Sequence, residues 1–342
     1  MRTKLPGLAD VHVHLRVPGG EHKEDFRTGT VAALAGGITT VLAMPNTRPP
    51  LVTVDRLRGV QRRAEVESLC EVRHFAGASP AHTDELPALG REAVGLKIYL
   101  NETFGPLRVE DLSTLWACFH NWPRDKVIAL HAEGQSVAVG VGLAAAFGRS
   151  VHFCHVSRQE EIELIAAAKR RGLPVTCEVT PHHLFLTQAD LPRLGPLGDM
   201  HPRLAEQADV DALWAHIHTT VDCVATDHAP HTLEEKRGDE PPPGVPGLET
   251  LLPLLLTAVA EGRLTMDRLV ELTAVNPRRI FGLAEQPDTW VEIDPQATHS
   301  LSDQGLHTKC GWSPFSGMTV RGKVCRVVLR GRVVFEDGEV RA

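Results

Sequence analysis

The stretch GLADVHVHLR, residues 7–16, sets two histidines one residue apart in an apolar run and follows them with an arginine. If 8–15 is a strand, its side chains point alternately to opposite faces. His12 and His14 then share one face, and Val11, Val13 and Leu15 share the other. Two imidazoles a few ångströms apart suit one metal ion. A half-buried strand with a polar outer face is the plainer reading, so the rest of the chain has to decide.

Outward from that stretch, short β-like runs alternate with helical patterns. GLADVHVHL is followed by a helical stretch at 24–35, and TTVLAMP (39–45) by another at 54–69. Then come EVRHFAG (71–77), GLKIYL (95–100), VIALHAE (127–133), VHFCHV (151–156), PVTCEVT (174–180) and DCVATDH (222–228). Several of these runs are rich in Val, Ile and Leu, as buried parallel strands are. Eight β/α units in succession predict an α/β fold of the (β/α)8 (TIM) barrel type. An open doubly wound sheet is the alternative, but no glycine-rich dinucleotide fingerprint opens the chain. Segments 244–259 and 266–283 read as further helices, and 324–338 as a β-hairpin turning at Arg330–Gly331. The expected division is a barrel over 7–285 and a small accessory β-layer built from 1–6 with 286–342. The segment 234–244, EEKRGDEPPPG, is too polar and proline-rich for a core element and reads as a loop.

Composition narrows the function. The chain has 342 residues, 42% of them apolar, and a formal net charge of −7. No long basic run is present, so nucleic acid and anionic membrane are poor partners. No apolar stretch approaches the ~18 residues of a membrane helix. Seven cysteines, an odd number scattered along the chain, do not form a disulfide framework and point to the cytoplasm.

Barrel enzymes place their chemistry at the C-terminal ends of the strands. Here those ends carry His12 and His14, Lys97, His131, His155 and Asp227. Four imidazoles and a carboxylate converging on one mouth suit zinc. Lys97 is the odd member, since a protonated amine beside two dications is repelled. Burial near cations favours a neutral amine, which reacts with CO2 to give an anionic carbamate able to bridge two metals.

Taken together, DVHVHLR, MPNT, GLKIYLNETF, HAE, CHVS, EVTPHHLFL and ATDHAPH resemble the dihydroorotases of the amidohydrolase superfamily. The likeness runs nearly the whole chain, through PGLETLLPLLLTAV and NPRRIF. It is strongest to the branch found as a domain of the animal multifunctional pyrimidine-synthesis protein. It implies one zinc on His12, His14 and Asp227, a second on His131 and His155, and carboxylated Lys97 as the bridge. It further implies that a water activated by the metals attacks the ring amide of L-dihydroorotate, with Asp227 as base and then acid. In the reverse direction N-carbamoyl-L-aspartate closes to the ring. Arg16, Asn46 and His231 correspond to the contacts of the substrate α-carboxylate. Thr103 and Phe104 correspond to the tip of a substrate lid in NETFGPL.

Cys154 and Glu178 correspond to ligands of a third zinc beside His12. A buried thiol and a carboxylate orienting a ligand histidine is the competing reading, and alternation turns Cys154 away from the face of His155. His216 and His218 repeat the HxH spacing but fall in a helical pattern, where i and i+2 diverge. His182 and His183 are expected to stabilise the turn after the seventh strand, with one of them near the mouth. His201 stands where relatives carry asparagine or arginine before the proline, which leaves the substrate-side role of 195–203 open. The resemblance also implies a homodimer, and the chain fits either a free-standing enzyme or a domain of a larger polypeptide. Two other functions compete: a related cyclic amidohydrolase (dihydropyrimidinase, hydantoinase or allantoinase), and a catalytically inactive scaffold. Filled ligand positions oppose the scaffold, and the carboxylate contacts oppose enzymes of uncharged rings.

Overall fold

The computed structural model describes residues 2–103 and 105–341. The barrel strands are β2 (Leu8–Val13), β3 (Ile38–Ala43), β4 (Glu71–His74) continued by β5 (Ala76–Gly77), β6 (Gly95–Tyr99), β7 (Val127–His131), β8 (Val151–Phe153), β9 (Val175–Val179) and β10 (Cys223–Val224), after a first strand β1 (Thr3–Pro6). All pairings among β2–β10 are parallel. The ring closes where Val13 bridges His228 and the His14 N–H donates to the His228 carbonyl at 2.7 Å. Every residue of β2, β3, β6 and β7 is buried, as strands covered on both faces must be.

Helices pack outside this ring. Val54–Glu67 shows why such segments form: Leu57, Val60 and Ala64 recur at helical spacing and are its buried residues, and Thr53 caps it by accepting from the Arg56 N–H. The expected helix at 244–259 starts only at Leu251 and runs to Ala260. Before it, Val245 bridges His228 and residues 248–250 form a turn. The pattern at 266–283 is a helix with a π turn at Glu271–Val275, just before Pro277, whose missing N–H cannot continue the ordinary ladder. Phe281 and Leu283 then plug the barrel interior beside Ala9, Val11, Phe75 and Ala129.

The accessory sheet has the order β1-β11-β12-β13-β14, where β11 is Trp290–Ser300, β12 Thr319–Leu329, β13 Arg332–Glu336 and β14 Glu339–Val340. The hairpin turns at Arg330 and Gly331, both at positive φ, matching the right-handed strand twist. The long strand β11 was not foreseen.

Three further expectations need correction. Val11 does not share a face with Val13 and Leu15: a register shift between Asp10 and Val13 resets the alternation. Val11 therefore packs inside the barrel, while Val13 and Leu15 join the layer between barrel and helices. The loop at 234–244 is not wholly peripheral, because it starts from a short helix, Leu233–Lys236. Lys236 is fully buried and donates to the carbonyls of Asp199, Pro242 and Gly244 at 3.0, 3.0 and 3.3 Å. His216 and His218 stand beyond the helix Gln207–Ala215, where they bond Thr220 Oγ1 and the Arg263 carbonyl.

Candidate metal centre and carboxylate clamp

His12 Nε2 and His14 Nε2 each lie 3.2 Å from Asp227 Oδ1. What holds the two rings fixes their tautomers. His12 Nδ1 faces Glu178 Oε1 at 2.5 Å, and a carboxylate only accepts, so Nδ1 carries a hydrogen. His14 Nδ1 donates to Asn46 Oδ1 at 2.9 Å. Both rings therefore turn Nε2 toward Asp227. Burial alone would lower His12, but Asp227 and Glu178 on its two edges raise it to about 10. A metal at Nε2 would compete with a proton there. His14 is held down to about 4 by burial. Against burial, the neighbouring imidazoles of His12 and His14 keep Asp227 well below the usual carboxylate range.

Asp10 sets the strand beneath these groups. It is fully buried and accepts from the N–H groups of His12 and Thr226, both at 3.1 Å, and from Thr226 Oγ1 at 2.6 Å. Burial raises its carboxyl to about 7. Its bonds tie β2 to the segment that carries Asp227. The DVHVH spacing contained this residue, but only the histidines drew attention.

On the opposite side of the mouth, His131 Nε2 donates to Glu133 Oε1 at 3.1 Å, and its Nδ1 lies 2.8 Å from His155 Nε2. Among the described residues, the buried His155 Nδ1 has no hydrogen-bond partner. The nitrogens that face each other, His131 Nδ1 and His155 Nε2, are the pair that a metal ion held by both rings would take. One ligand atom from each of His12, His155 and Asp227 fits within 4.8 Å, as do His12, Cys154 and Glu178. The donor set therefore fits zinc.

Lys97 is buried at the centre with Nζ 2.8 Å from Cys154 Sγ. Cys154 thus points inward, not away. Strand β8 ends at Phe153, and the positive φ of 34° at His155 breaks the alternation. Asp227 and Arg16 also take positive φ, 45° and 61°.

A cleft above this centre is lined by His14, Arg16, Asn46, Thr103, His182 and Asp227, and His201 also borders it. Arg16 is 8% exposed, its Nε donates to the Pro230 carbonyl at 3.1 Å, and burial lowers it to about 10. His231, the third residue assigned to the substrate carboxylate, lies against the Arg16 guanidinium. Its Nε2 is 3.0 Å from Arg16 Nη2, and its Nδ1 is 3.0 Å from Lys23 Nζ. Burial and these two cations keep the ring neutral. Gly105, at φ 115°, comes against Asn46, so this part of the NETFGPL segment lies over the mouth. Phe104 lies outside the described residues. His183 bonds Thr180 Oγ1 at 2.8 Å and the Pro202 carbonyl at 3.0 Å, while His182 faces the cleft. No local sequence signal separated the two.

The Dihydro-orotase-like family model matches residues 2–89. Over 98% of its length the chain is 51% identical to the multifunctional protein CAD of Squalus acanthias, of which it spans 15%. It is 34% identical to the dihydroorotase of Halobacterium salinarum, over 99% of this chain and 87% of that one. Among solved structures, the L-hydantoinase (dihydropyrimidinase) of Arthrobacter aurescens superposes with a TM-score of 0.94 at 26% identity, covering 100% of this chain and 87% of that one. The inactive dihydroorotase-like domain of the Chaetomium thermophilum CAD-like multifunctional protein superposes with a TM-score of 0.85 at 28% identity, covering 100% and 97%.

Proposed function

Because the chain belongs to the dihydroorotase family, we propose that it catalyses the reversible, zinc-dependent cyclisation of N-carbamoyl-L-aspartate to L-dihydroorotate, a step of pyrimidine biosynthesis. The observation that carries this reading is the pairing of two features in one cleft: His12 and His14 aimed at Asp227, and a buried guanidinium beside them. His12, His14 and Asp227 would hold one zinc, His131 and His155 a second, and Lys97, carboxylated by CO2, would join them. Bound there, zinc supplies polarisation of the amide carbonyl and a water that is nucleophilic at neutral pH.

The side chains supply the rest. Arg16 and Asn46 hold the α-carboxylate and orient the ring; a planar guanidinium matches a carboxylate with two parallel bonds. Asp227 carries the proton. In ring opening it takes the proton from the attacking water and gives it to the departing ring nitrogen. In ring closure it takes the proton from the ureido nitrogen and gives it to the departing oxygen. Thr103, with Phe104 beside it, would cover the ring. Glu178 has His12 on one oxygen and His152 on the other, which favours an orienting carboxylate and two zinc ions. A third ion on His12, Cys154 and Glu178 would appear as a third zinc per chain, lost in Cys154→Ser.

We further propose a homodimer formed through the outer faces of Leu112–Asn121 and Gln135–Phe147. The second helix carries no charged residue, and Leu112, Trp116 and Val139 stand exposed on this surface. Trp116→Lys should then yield a monomer in sedimentation. The seven cysteines are all buried and unpaired, which supports a cytoplasmic setting.

The decisive experiment offers L-dihydroorotate, dihydrouracil and hydantoin to the zinc-loaded protein. Turnover of dihydroorotate alone supports the proposal. Preference for an uncharged ring would move the assignment to a hydantoinase or dihydropyrimidinase, and no turnover with zinc fully bound would favour the inactive scaffold.

A further inference from the structure

Strand β8 carries a histidine of its own, three residues before His155, which follows the strand's end. His152 is fully buried. Its Nε2 lies 3.0 Å from Glu178 Oε2 and its Nδ1 lies 2.9 Å from Thr176 Oγ1. Since the carboxylate only accepts, Nε2 carries the hydrogen. The ring meets the edge of Phe281 at 5.1 Å between centroids and 71° between planes, so it is wedged in that orientation. The other oxygen of Glu178 faces His12 Nδ1 at 2.5 Å and accepts the His155 N–H at 3.3 Å. A continuous array therefore runs from Thr176 through His152 and Glu178 to His12, and both oxygens of the buried carboxylate are directed.

We propose that His152 is a positioning residue of the metal centre. It fixes the Glu178 carboxylate, which fixes the tautomer and tilt of His12, so that His12 Nε2 faces Asp227 Oδ1. His152 touches neither substrate nor metal and performs no chemical step. The reasoning is that of any ligand imidazole whose far nitrogen is held by a carboxylate; here the carboxylate itself has a dedicated holder on the adjacent strand. The proposal rests on reading His12 as a zinc ligand, and needs neither a particular substrate nor a particular count of ions.

The test pairs His152→Met, which fills the space without a donor, with His152→Gln, whose amide nitrogen reaches about as far as Nε2. Zinc affinity of the metal-free proteins is measured by competition with a chromogenic chelator, alongside kcat and KM. His152→Met is expected to bind its weakest zinc about ten- to hundredfold less tightly. Its kcat should fall while KM for dihydroorotate holds, because Arg16 and Asn46 are untouched. His152→Gln should recover most of the affinity. A folded His152→Met with wild-type zinc affinity, or a His152→Gln as weak as His152→Met, would overturn the proposal. Should His152→Met fail to fold, Thr176→Val removes only the outer hydroxyl and is expected to weaken zinc several-fold; unchanged affinity there would refute it equally. A wild-type protein that binds zinc but leaves dihydroorotate intact would defeat the proposed activity, and the zinc measurements would still decide the role of His152.

Discussion

Replacing Arg16 by Met separates the carboxylate clamp from the metal centre. The guanidinium is 8% exposed, so its bonds to a bound carboxylate form largely out of water. A hydrogen bond to a charged group contributes ~1.5–3 kcal/mol net. Losing two, with Asn46 still in place, should cost ~3–4 kcal/mol of transition-state binding, or about 10²- to 10³-fold in kcat/KM for dihydroorotate. Dihydrouracil has the same ring without the carboxylate, so its kcat/KM should change by no more than about threefold. Backbone strain does not confuse the comparison, because arginine and methionine meet the same positive φ of 61°. The Pro230 carbonyl loses one bond, which affects stability by ~1 kcal/mol and both substrates equally. The assay is initial-rate ring opening of each substrate, with zinc content measured on the same samples. Parallel losses for both substrates would refute the clamp and assign Arg16 to the support of the metal centre.

Lys97→Ala should lower bound zinc by about one ion per chain, measured by elemental analysis, with partial recovery of metal and turnover when propionate is added. Asp227→Asn keeps the side chain's shape, so its thermal unfolding should stay close to wild type while ring opening slows by about 10²- to 10⁴-fold. Glu249 gives a pH signature away from the mouth: burial raises its carboxyl to about 7, although it accepts from the His307 and Thr308 N–H groups. Between pH 4.5 and 7 the folded state holds the proton that the unfolded state releases, so stability falls as pH rises through this window and levels off above it. In denaturant titrations from pH 5 to 8, the stability of wild type relative to Glu249→Gln should fall by ~2–3 kcal/mol; a constant difference would refute the assignment.

The barrel was legible because its strands are unbroken apolar runs between helical patterns, and the mouth because its histidines and Asp227 fall where those runs end. The failures have local causes. Alternation failed at Val11 because of the register shift between Asp10 and Val13, and at Cys154 because β8 stops one residue earlier. Neither a bulge nor a left-handed residue is announced by composition at these positions. Strand β11 escaped notice because WVEIDPQATHS mixes charges and a proline into its alternation, and its pairing with β12 shifts register twice. The contact of His231 with Lys23 was not legible, since spacing brings a side chain near a cleft but does not name its neighbours. His152 carried a signal that went unread, the HxxH of VHFCHV.

Six non-glycine residues adopt positive φ among those described, and three of them are Arg16, His155 and Asp227. L-residues in that conformation cost roughly 1–2 kcal/mol each, so the chemistry stands on backbone that opposes folding by several kcal/mol. A lineage that abandoned catalysis would be free to relax the backbone at all three positions and refill the space with apolar side chains. Selection for heat resistance alone should therefore drift toward an inert fold, and an active thermostable variant would have to find its stability elsewhere, in the helices and the accessory sheet.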